Sequence, residues 1–275
     1  MQASAVPSAP ETYEVFALRY AVLAPRDATR LFVHYGLFDL EGRQLGMACY
    51  FWVIRSNSRV VLVDSGYRGE VGARRLGALQ LEHRDPVEML AQLDLTAGDV
   101  EHVIISHLHF DHTGNLGRFP NATFTVAGTE LDYWTGPYRD RLAFNYHTLP
   151  EDVDTVSDLA RDGRVQTIGH AAHPYPGIVL TKVGGHSPGQ LIVEVNTASG
   201  LVVLAADAIH YHEEYERDLP FWVHTDLVEM FGAYELLRER AARPRTWVVA
   251  GHDPAEMDRF EGIGEHCLDL TKPIG

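Results

Sequence analysis

The sequence predicts an α+β protein with two layers of β-sheet at its core and helices on the outside. Apolar, β-branched segments of strand length recur in both halves of the chain, helical segments are interleaved after them, and no repeat of about 20 to 50 residues indicates a solenoid. The chain has 275 residues, of which 45% are hydrophobic, and no linker divides it, so we expect one domain over residues 1–275. Residues 1–10 are rich in alanine, serine and proline and are expected to form a loose arm.

Strands are predicted from apolar and β-branched runs. These runs are Tyr13–Val22, Met47–Arg55, Arg59–Asp64, Val103–Ser106, Ala122–Ala127, Ile178–Val183, Leu191–Val195, Leu201–Ala206 and Thr246–Ala250. Residues 56–58, Ser-Asn-Ser, have the composition of a hairpin turn between the second and third runs. The unbroken apolar run that ends at Ala206 indicates a strand buried on both faces.

Helices are predicted from capping signals and composition. The segment Asp85–Leu93 begins with Asp-Pro, which suits the N-cap and the first helical position. Gly128–Trp134 is a short helix, and Asp226–Ala242 is the clearest one, with a glutamate three residues after its N-cap aspartate. Residues 135–163 show no clear period, and we interpret them as an irregular excursion over the surface.

Metal-ligating side chains are concentrated after the strand that ends at Ser106. The following residues include His107, His109, Asp111 and His112. On locally extended backbone, two residues apart, the first two histidines point the same way. The other two ligands precede a Thr-Gly-Asn turn and can face a second ion. This density of ligands at the end of a rigid strand favours a metal centre over a histidine-rich surface loop.

Three later residues have the same context, because each follows a predicted strand, and two of them also follow a glycine that permits close approach of the backbone to an ion. The full set divides into His107, His109 and His186 for a first ion, Asp111, His112 and His252 for a second, and Asp207 as the bridge. Seven ligands for two ions leave open positions, which favours catalysis over a closed structural site. Imidazole and carboxylate without thiolate favour zinc, with iron, cobalt and manganese as alternatives.

Composition limits the partners and the compartment. The net charge of -15 argues against nucleic acid or an anionic membrane surface as a partner. Cys49 and Cys267 stand far apart and resemble ordinary thiols of a reducing compartment. With no signal-peptide pattern at the start and no apolar run of membrane-spanning length, we expect a soluble, cytoplasmic protein. Asp64, at a strand end, either caps a loop or orients a histidine ligand.

The order of these ligands resembles the metallo-β-lactamase superfamily over roughly residues 45–260. The resemblance implies a four-layer αββα sandwich with the metals at one edge of the two sheets. The string Ser-His-Leu-His-Phe-Asp-His-Thr-Gly-Asn, with Phe-Pro-Asn-Ala at 119–122, is similar to the N-acyl-homoserine lactone lactonases. That branch implies a dinuclear metal-dependent hydrolase that opens a lactone, or cleaves a related carboxylic ester, by attack of metal-bound hydroxide. Asp111 or a displaced water would then shuttle the proton.

One position departs from the lactonase pattern. Where those enzymes have a tyrosine three residues after the bridging aspartate, this chain has His210. Two interpretations stay open: a hydrogen-bond or proton donor in catalysis, or a solvated loop residue. The segment that follows supplies candidates for a substrate pocket, namely Tyr211, Phe221, Trp222 and His224, with core packing as the alternative for Trp222. Pocket shape would be set by residues 135–163 and 211–224.

Three rival functions are weighed against this prediction. Residues 185–189, Gly-His-Ser-Pro-Gly, match a serine nucleophile elbow, but Pro188 has no N–H for an oxyanion hole and a strand follows. Persulfide dioxygenases of the same superfamily share the histidine string and use one iron, and glyoxalase II-type members cleave thioesters. We expect a small-molecule lactone or ester as the partner and leave a homodimer open.

Overall fold

The structure, a computed structural model, describes residues 11–137 and 139–274; the loose arm expected over residues 1–10 lies outside this part. The strands are β1 (Glu14–Asp27), β2 (Gln44–Arg55), β3 (Val60–Val63), β4 (Gln80–His83), β5 (His102–Ile104), β6 (Thr123–Ala127), β7 (Val165–Ile168), β8 (Ala171–Tyr175), β9 (Ile178–Lys182), β10 (Leu191–Asn196), β11 (Leu201–Ala206), β12 (Thr246–Ala250), β13 (Phe260–Gly262) and β14 (Cys267–Pro273). The helices are α1 (Gly69–Leu76), α2 (Pro86–Met89), α3 (Phe110–Thr113), α4 (Gly128–Thr135), α5 (Leu142–Asn145), α6 (Pro150–Arg161), α7 (His212–Arg217), α8 (Leu227–Ala241) and α9 (Glu256–Arg259).

Within the described residues, the strands form two sheets of nine and five strands. The first has the order β13-β14-β1-β2-β3-β5-β6-β7, with β4 also paired to β1, and the second has the order β12-β11-β10-β9-β8. The strands β3, β5, β6 and β7 are parallel, as are β11 and β12. The carboxyl ends of parallel strands meet at one edge of a sheet, and loops at that edge can bring distant residues together.

Alternating side chains bury both faces of the first sheet. In β1, Val15 and Ala17 belong to the apolar layer between the two sheets, whereas Phe16 and Leu18 belong to the layer under the outer helices. Because successive side chains of a strand point to opposite faces, a strand covered on both sides is apolar at nearly every position. This explains why β1 has no polar face.

The second sheet is buried in the same way. In β11, Val202 and Leu204 face the other sheet, and Val203 packs with Tyr234 and Leu237 of α8. The layers are therefore helix, sheet, sheet and helix, which confirms the predicted αββα sandwich and, for β11, the prediction of a strand buried on both faces.

The capping signals also predicted helix starts correctly. The Asp85 side chain accepts hydrogen bonds from the backbone N–H groups of Val87 and Glu88 at the start of α2. Asp226 does the same at the start of α8. Each aspartate thereby satisfies N–H groups that have no partner inside the helix.

The interpretation of residues 135–163 as an irregular excursion is wrong for its second half, where α6 forms. Pro150 occupies the first turn, and Val153, Val156 and Leu159 are buried on one face of the helix. The helical period is present, but it comprises only these three apolar positions among acidic and polar residues.

No helix in the described part of the chain is long and apolar enough to cross a membrane.

Candidate metal centre

The candidate ligands converge at one edge of the two sheets. β5 leads into residues 107–112, and the loop between β9 and β10 carries His186. Asp207 directly follows β11, and His252 comes shortly after the parallel strand β12. Gly251 permits the close approach of these two strand ends, since a Cβ atom there would lie 2.6 Å from Oδ1 of Asp207.

Three buried imidazole rings form a first group: His107, His109 and His186. Nε2 of His186 lies 2.9 Å from Nδ1 of His109, and the ring centroids of His107 and His109 are 4.5 Å apart. Burial lowers the pKa of each of the three well below its ordinary value. These rings are therefore neutral near pH 7, and their nitrogen lone pairs can bind a cation.

A second group consists of Asp111, His112 and His252. Oδ2 of Asp111 lies 3.6 Å from Nε2 of His252, and its Oδ1 lies 3.8 Å from Nε2 of His112. Both histidines are buried, whereas the Asp111 side chain is 18% exposed. Asp111 is thus the most accessible member of this group.

Asp207 lies between the two groups, and its two oxygens face different groups. Oδ2 is 3.4 Å from Nε2 of His186 and 3.8 Å from Nε2 of His107. Oδ1 is 3.3 Å from Nε2 of His112 and 3.2 Å from Nε2 of His252. Burial opposes ionisation of Asp207, but the surrounding histidines hold its pKa well below its ordinary value, so it is a carboxylate.

Hydrogen bonds at the outer nitrogens orient these rings. Nδ1 of His186 lies 2.9 Å from the carbonyl oxygen of Val223, and Nδ1 of His252 lies 2.8 Å from that of Ala48. A carbonyl oxygen can only accept a hydrogen bond, so each Nδ1 carries a proton and each Nε2 faces the interior of the site. Burial opposes protonation of His252, but the Asp207 carboxylate raises the pKa of this ring, and a bound cation would replace the proton on that Nε2.

Asp64 orients two further rings, those of His112 and His107. Its Oδ2 lies 2.7 Å from Nδ1 of His112 and accepts a 2.7 Å hydrogen bond from the hydroxyl of Ser106. That hydroxyl oxygen is in turn 3.0 Å from Nδ1 of His107. One buried carboxylate therefore fixes a ring in each group, which supports the interpretation of Asp64 as an orienting residue.

The donor atoms that face the interior fit a bound cation. In the described part of the chain, Nε2 of His107, Nε2 of His112 and Oδ1 of Asp207 are buried without a hydrogen-bond partner. Buried polar atoms are normally satisfied, and here imidazole nitrogens and a carboxylate oxygen, the donor types that zinc and similar ions prefer, converge on one point. Metal ions would supply the missing partners.

His210 is a further histidine at this site. Its Nε2 lies 3.2 Å from Oδ2 of Asp207, and its ring is stacked on Phe221 at a centroid distance of 3.6 Å. Behind it, Oε1 of the buried Glu214 accepts the backbone N–H of His210 and lies 3.3 Å from its Nδ1, while Oε2 accepts the hydroxyl of Tyr234. His210 is buried, which excludes the interpretation as a solvated loop residue.

Glu130 connects the two loops that carry the first group. Its carboxylate accepts hydrogen bonds from the backbone N–H groups of Leu108 and Gly189, from the Ser187 hydroxyl and from the Trp134 indole. Ser187 is therefore a donor within this network, and a strand follows it, as expected against a nucleophile elbow. Burial raises the pKa of Glu130, although these donors oppose the shift.

Comparisons with known proteins establish the family of this chain. The sequence profile described as the metallo-β-lactamase superfamily matches residues 46–252. The chain belongs to this superfamily. Its relatives include the N-acyl homoserine lactonase AttM of Azorhizobium caulinodans, 32% identical over 77% of this chain and 84% of that protein. An N-acyl homoserine lactonase of Bacillus cereus is 25% identical over the same shares of the two chains.

Solved structures show the same superfamily fold. A quorum-quenching N-acyl homoserine lactone lactonase superposes with a TM-score of 0.75 at 21% identity, covering 94% of this chain and all of that one. AidC, a dizinc quorum-quenching lactonase solved with the product N-hexanoyl-L-homoserine, gives a TM-score of 0.68 at 16% identity, with 90% of this chain and 89% of that chain covered. At these identities the likeness establishes the fold.

This superfamily member has a cavity of about 290 Å³ in front of the ligand groups. Asp111 and His210 lie in its wall, together with ligands of both groups. Much of the remaining wall is apolar, including Leu23, Met47 and Phe110. An apolar cavity that ends at a few convergent polar groups is typical of small-molecule sites.

The predicted pocket residues lie in three places: the cavity wall, an adjoining cavity and the protein interior. Phe221 and Trp222 line the cavity, and Trp222 is 42% exposed, which excludes core packing. His224 lines an adjoining cavity that shares Trp222. Tyr211 does not line either one: it is buried behind Phe221, and its hydroxyl donates to the carbonyl oxygen of Gly46. A strand-to-helix turn directs this side chain inward.

Sequence reasoning missed several residues at the site of this superfamily member. Cys49 and His147 both lie in the cavity wall, although neither belongs to a motif. The Cys49 sulfur lies within 4.8 Å of ligand atoms of Asp111 and His252. Ser106 could have been identified, because it is adjacent to the histidine string. Cys49, by contrast, is brought to the site only by the pairing of β1 and β2.

Proposed function

We propose that this protein is a dinuclear metal-dependent hydrolase that opens lactones, with N-acyl homoserine lactones as the expected class. The observation that carries the proposal is the position of Asp207, whose two oxygens face two separate groups of buried imidazoles. A carboxylate in this position can bridge two cations. The N-acyl homoserine lactonases among its relatives support the substrate class.

Zinc is the proposed metal. Five histidines and two aspartates without a thiolate in the predicted ligand set suit it, and one structural neighbour is a dizinc lactonase. The first ion would be held by His107, His109 and His186, the second by Asp111, His112 and His252, and Asp207 would serve both. Two such ions, when bound, lower the pKa of water and polarise an ester carbonyl.

The protein's own groups have separate tasks in the proposed reaction. Asp111 is the ligand carboxylate with appreciable exposure, and it lines the cavity, so it can accept the proton of the attacking water. His210 lines the same cavity with Nε2 directed toward the ligand groups, so it can donate a proton to the alkoxide that leaves when the ring opens. The apolar wall binds the acyl portion and limits water around the reacting carbonyl.

The redox rival is less well supported. A mononuclear iron site like that of the persulfide dioxygenases would need two histidines and the bridging-type aspartate, Asp207. The second group, Asp111, His112 and His252, would then bind no metal. The two histidines of that group are buried, oriented by Asp64 and Ala48, and directed at Oδ1 of Asp207. The completeness of this second group favours hydrolysis.

The test is a hydrolysis panel on metal-reconstituted protein, with metal content measured on the same sample. The panel contains N-hexanoyl homoserine lactone, an aryl ester, a thioester and a phosphodiester. We expect two metal ions per chain and a kcat/KM for the lactone well above that of the other substrates. One iron per chain with oxygen consumption would replace the proposal by the dioxygenase, and preferred thioester turnover would replace it by glyoxalase II-type chemistry.

A further inference from the structure

Two arginines line the cavity in front of the ligand groups. Arg26 lies near the end of β1 and Arg75 lies in the last turn of α1, and both are half-buried. Among the described residues that form the cavity wall, they are the only lysine or arginine side chains. The wall thus carries two positive charges in addition to the metal-binding groups.

In the described part of the chain, neither guanidinium forms an ion pair or a hydrogen bond with a carboxylate, although the charge of Arg75 acts on the buried Asp152 from a greater distance. Arg26 reaches the sulfur of Met47 at 3.7 Å, which is a weak acceptor. Arg75 lies over the Phe110 ring, with 4.6 Å from its central carbon to the ring centroid, and 5.4 Å from the centroid of Tyr146. These ring contacts hold the guanidinium but leave its N–H donors without an oxygen acceptor.

Two other half-buried arginines of this chain are paired with carboxylates, and a third, Arg164, donates to the carbonyl oxygens of Phe119 and Ala122. Arg43 donates to Glu213 at 2.8 Å, and Arg240 donates to Glu194 at 2.7 Å. The chain has 38 acidic against 23 basic residues, so carboxylates are abundant. Arg26 and Arg75 are partly withdrawn from water without an oxygen acceptor, and two such donors in one cavity indicate a ligand that supplies the acceptors.

We propose that the acyl portion of the substrate carries a carboxylate, which Arg75 binds with Arg26 as the second cation. This proposal rests on the lactonase function proposed above and names its substrate class. Arg75 is stacked on Phe110, the residue directly before Asp111, so its charge lies beside the ligand loop. The guanidinium fork matches a carboxylate in two parallel hydrogen bonds.

The apolar residues around Arg75 define the rest of this substrate class. Leu76 and Leu79 line the cavity next to it, and Leu79 and Tyr146 are exposed at its rim. An acyl chain with a methylene segment and a terminal carboxylate would bury its methylenes against these residues and place its charge at Arg75. A neutral chain of the same length would leave both guanidinium groups unpaired.

The experiment compares two substrates of equal acyl length on the metal-loaded enzyme: N-hexanoyl homoserine lactone and N-(5-carboxypentanoyl) homoserine lactone. We expect the wild type to prefer the carboxylated substrate, mainly through a lower KM. Arg75→Met should reduce the ratio of the two kcat/KM values about tenfold, and Arg75→Lys should restore part of it. Arg74→Met is the matched control, because Arg74 is exposed on the same helix and faces Glu151; it should leave the ratio unchanged.

A binding measurement separates this proposal from the proposed function. Adipamic acid, which has one amide and one carboxylate, is titrated by calorimetry into wild type and Arg75→Met, with hexanamide as the neutral probe. Weaker binding of adipamic acid to Arg75→Met than to the wild type would support the anion site. If neither lactone is hydrolysed, only the proposed lactonase function is rejected, and the binding result still tests the anion site. The anion site would be overturned by equal adipamic acid binding to both proteins. It would also be overturned if the wild type hydrolyses both lactones with equal kcat/KM values.

Discussion

The carboxylate of Asp64 lies 2.7 Å from Nδ1 of His112, and both groups are buried beneath the candidate metal centre. Asp64 has a positive φ of 64°, an uncommon conformation for a residue other than glycine, and this turn directs its side chain back toward the ligand loop. The same carboxylate also accepts the backbone N–H and the hydroxyl of Ser106.

Asp64→Asn should weaken metal binding about 10- to 100-fold. An amide N–H₂ group facing Nδ1 favours the His112 tautomer with its proton on Nε2, the atom that faces Asp207. Asparagine tolerates a positive φ, so the backbone is not the cause. The measurement is chelator competition, with circular dichroism to verify the fold. Asp99→Asn, at an exposed helix cap, is the control, and unchanged affinity in Asp64→Asn would contradict the assigned role.

Asp207→Ala should remove the bridge and lower both metal content and turnover. We expect fewer than two ions per chain and a loss of lactonase activity of at least about a hundredfold. Metal analysis and kcat on the same preparation provide the readout. Asp152→Ala removes another buried carboxylate, one paired with Arg68 at 2.6 Å, and should reduce stability while leaving two ions bound. Full metal content in Asp207→Ala would argue against the bridging role.

His210→Phe should lower kcat about a hundredfold with little change in KM, since the ring can still stack on Phe221 while the proton donor is lost. Metal content should stay at two ions, because His210 is assigned to the leaving group. A drop in metal content would instead make His210 a ligand, as its 3.2 Å distance to Asp207 also allows. His173→Phe, at an exposed position of β8, is the control.

His102 should make stability depend on pH away from the metal centre. Burial lowers the pKa of His102 from 6.5 to about 4, and Thr123 and Thr125 satisfy its neutral ring. In the unfolded chain the His102 imidazole binds a proton near pH 6.5, whereas in the folded chain it does so only near pH 4. The free energy of unfolding therefore falls as the pH decreases from 6.5 to 4. By pH 5 the loss is about 2 kcal/mol, and His102→Gln should remove it. Urea unfolding of both proteins at pH 7 and pH 5 tests this; identical pH dependence would contradict it.

The local parts of the fold and of the candidate site were accessible from the sequence. The strand that ends before Ser106 and the spacing of His107, His109, Asp111 and His112 are properties of neighbouring residues, so strand periodicity and ligand density are visible directly. The helix α6 was missed because its apolar face has only three positions, and β14 was not predicted because its stability depends on pairing with β1.

The sequence by itself determined the types of the candidate ligands, their order along the chain and the strands that deliver them, because these depend on side-chain chemistry and local backbone preference. Only the tertiary structure decided that Asp207 directs one oxygen to each group, that Glu214 supports His210, and that Arg75 stands unpaired in the cavity wall. These relationships depend on strand register and on loops meeting across two sheets. No local pattern encodes them, since partners such as Asp64 and His112 are 48 residues apart in the chain.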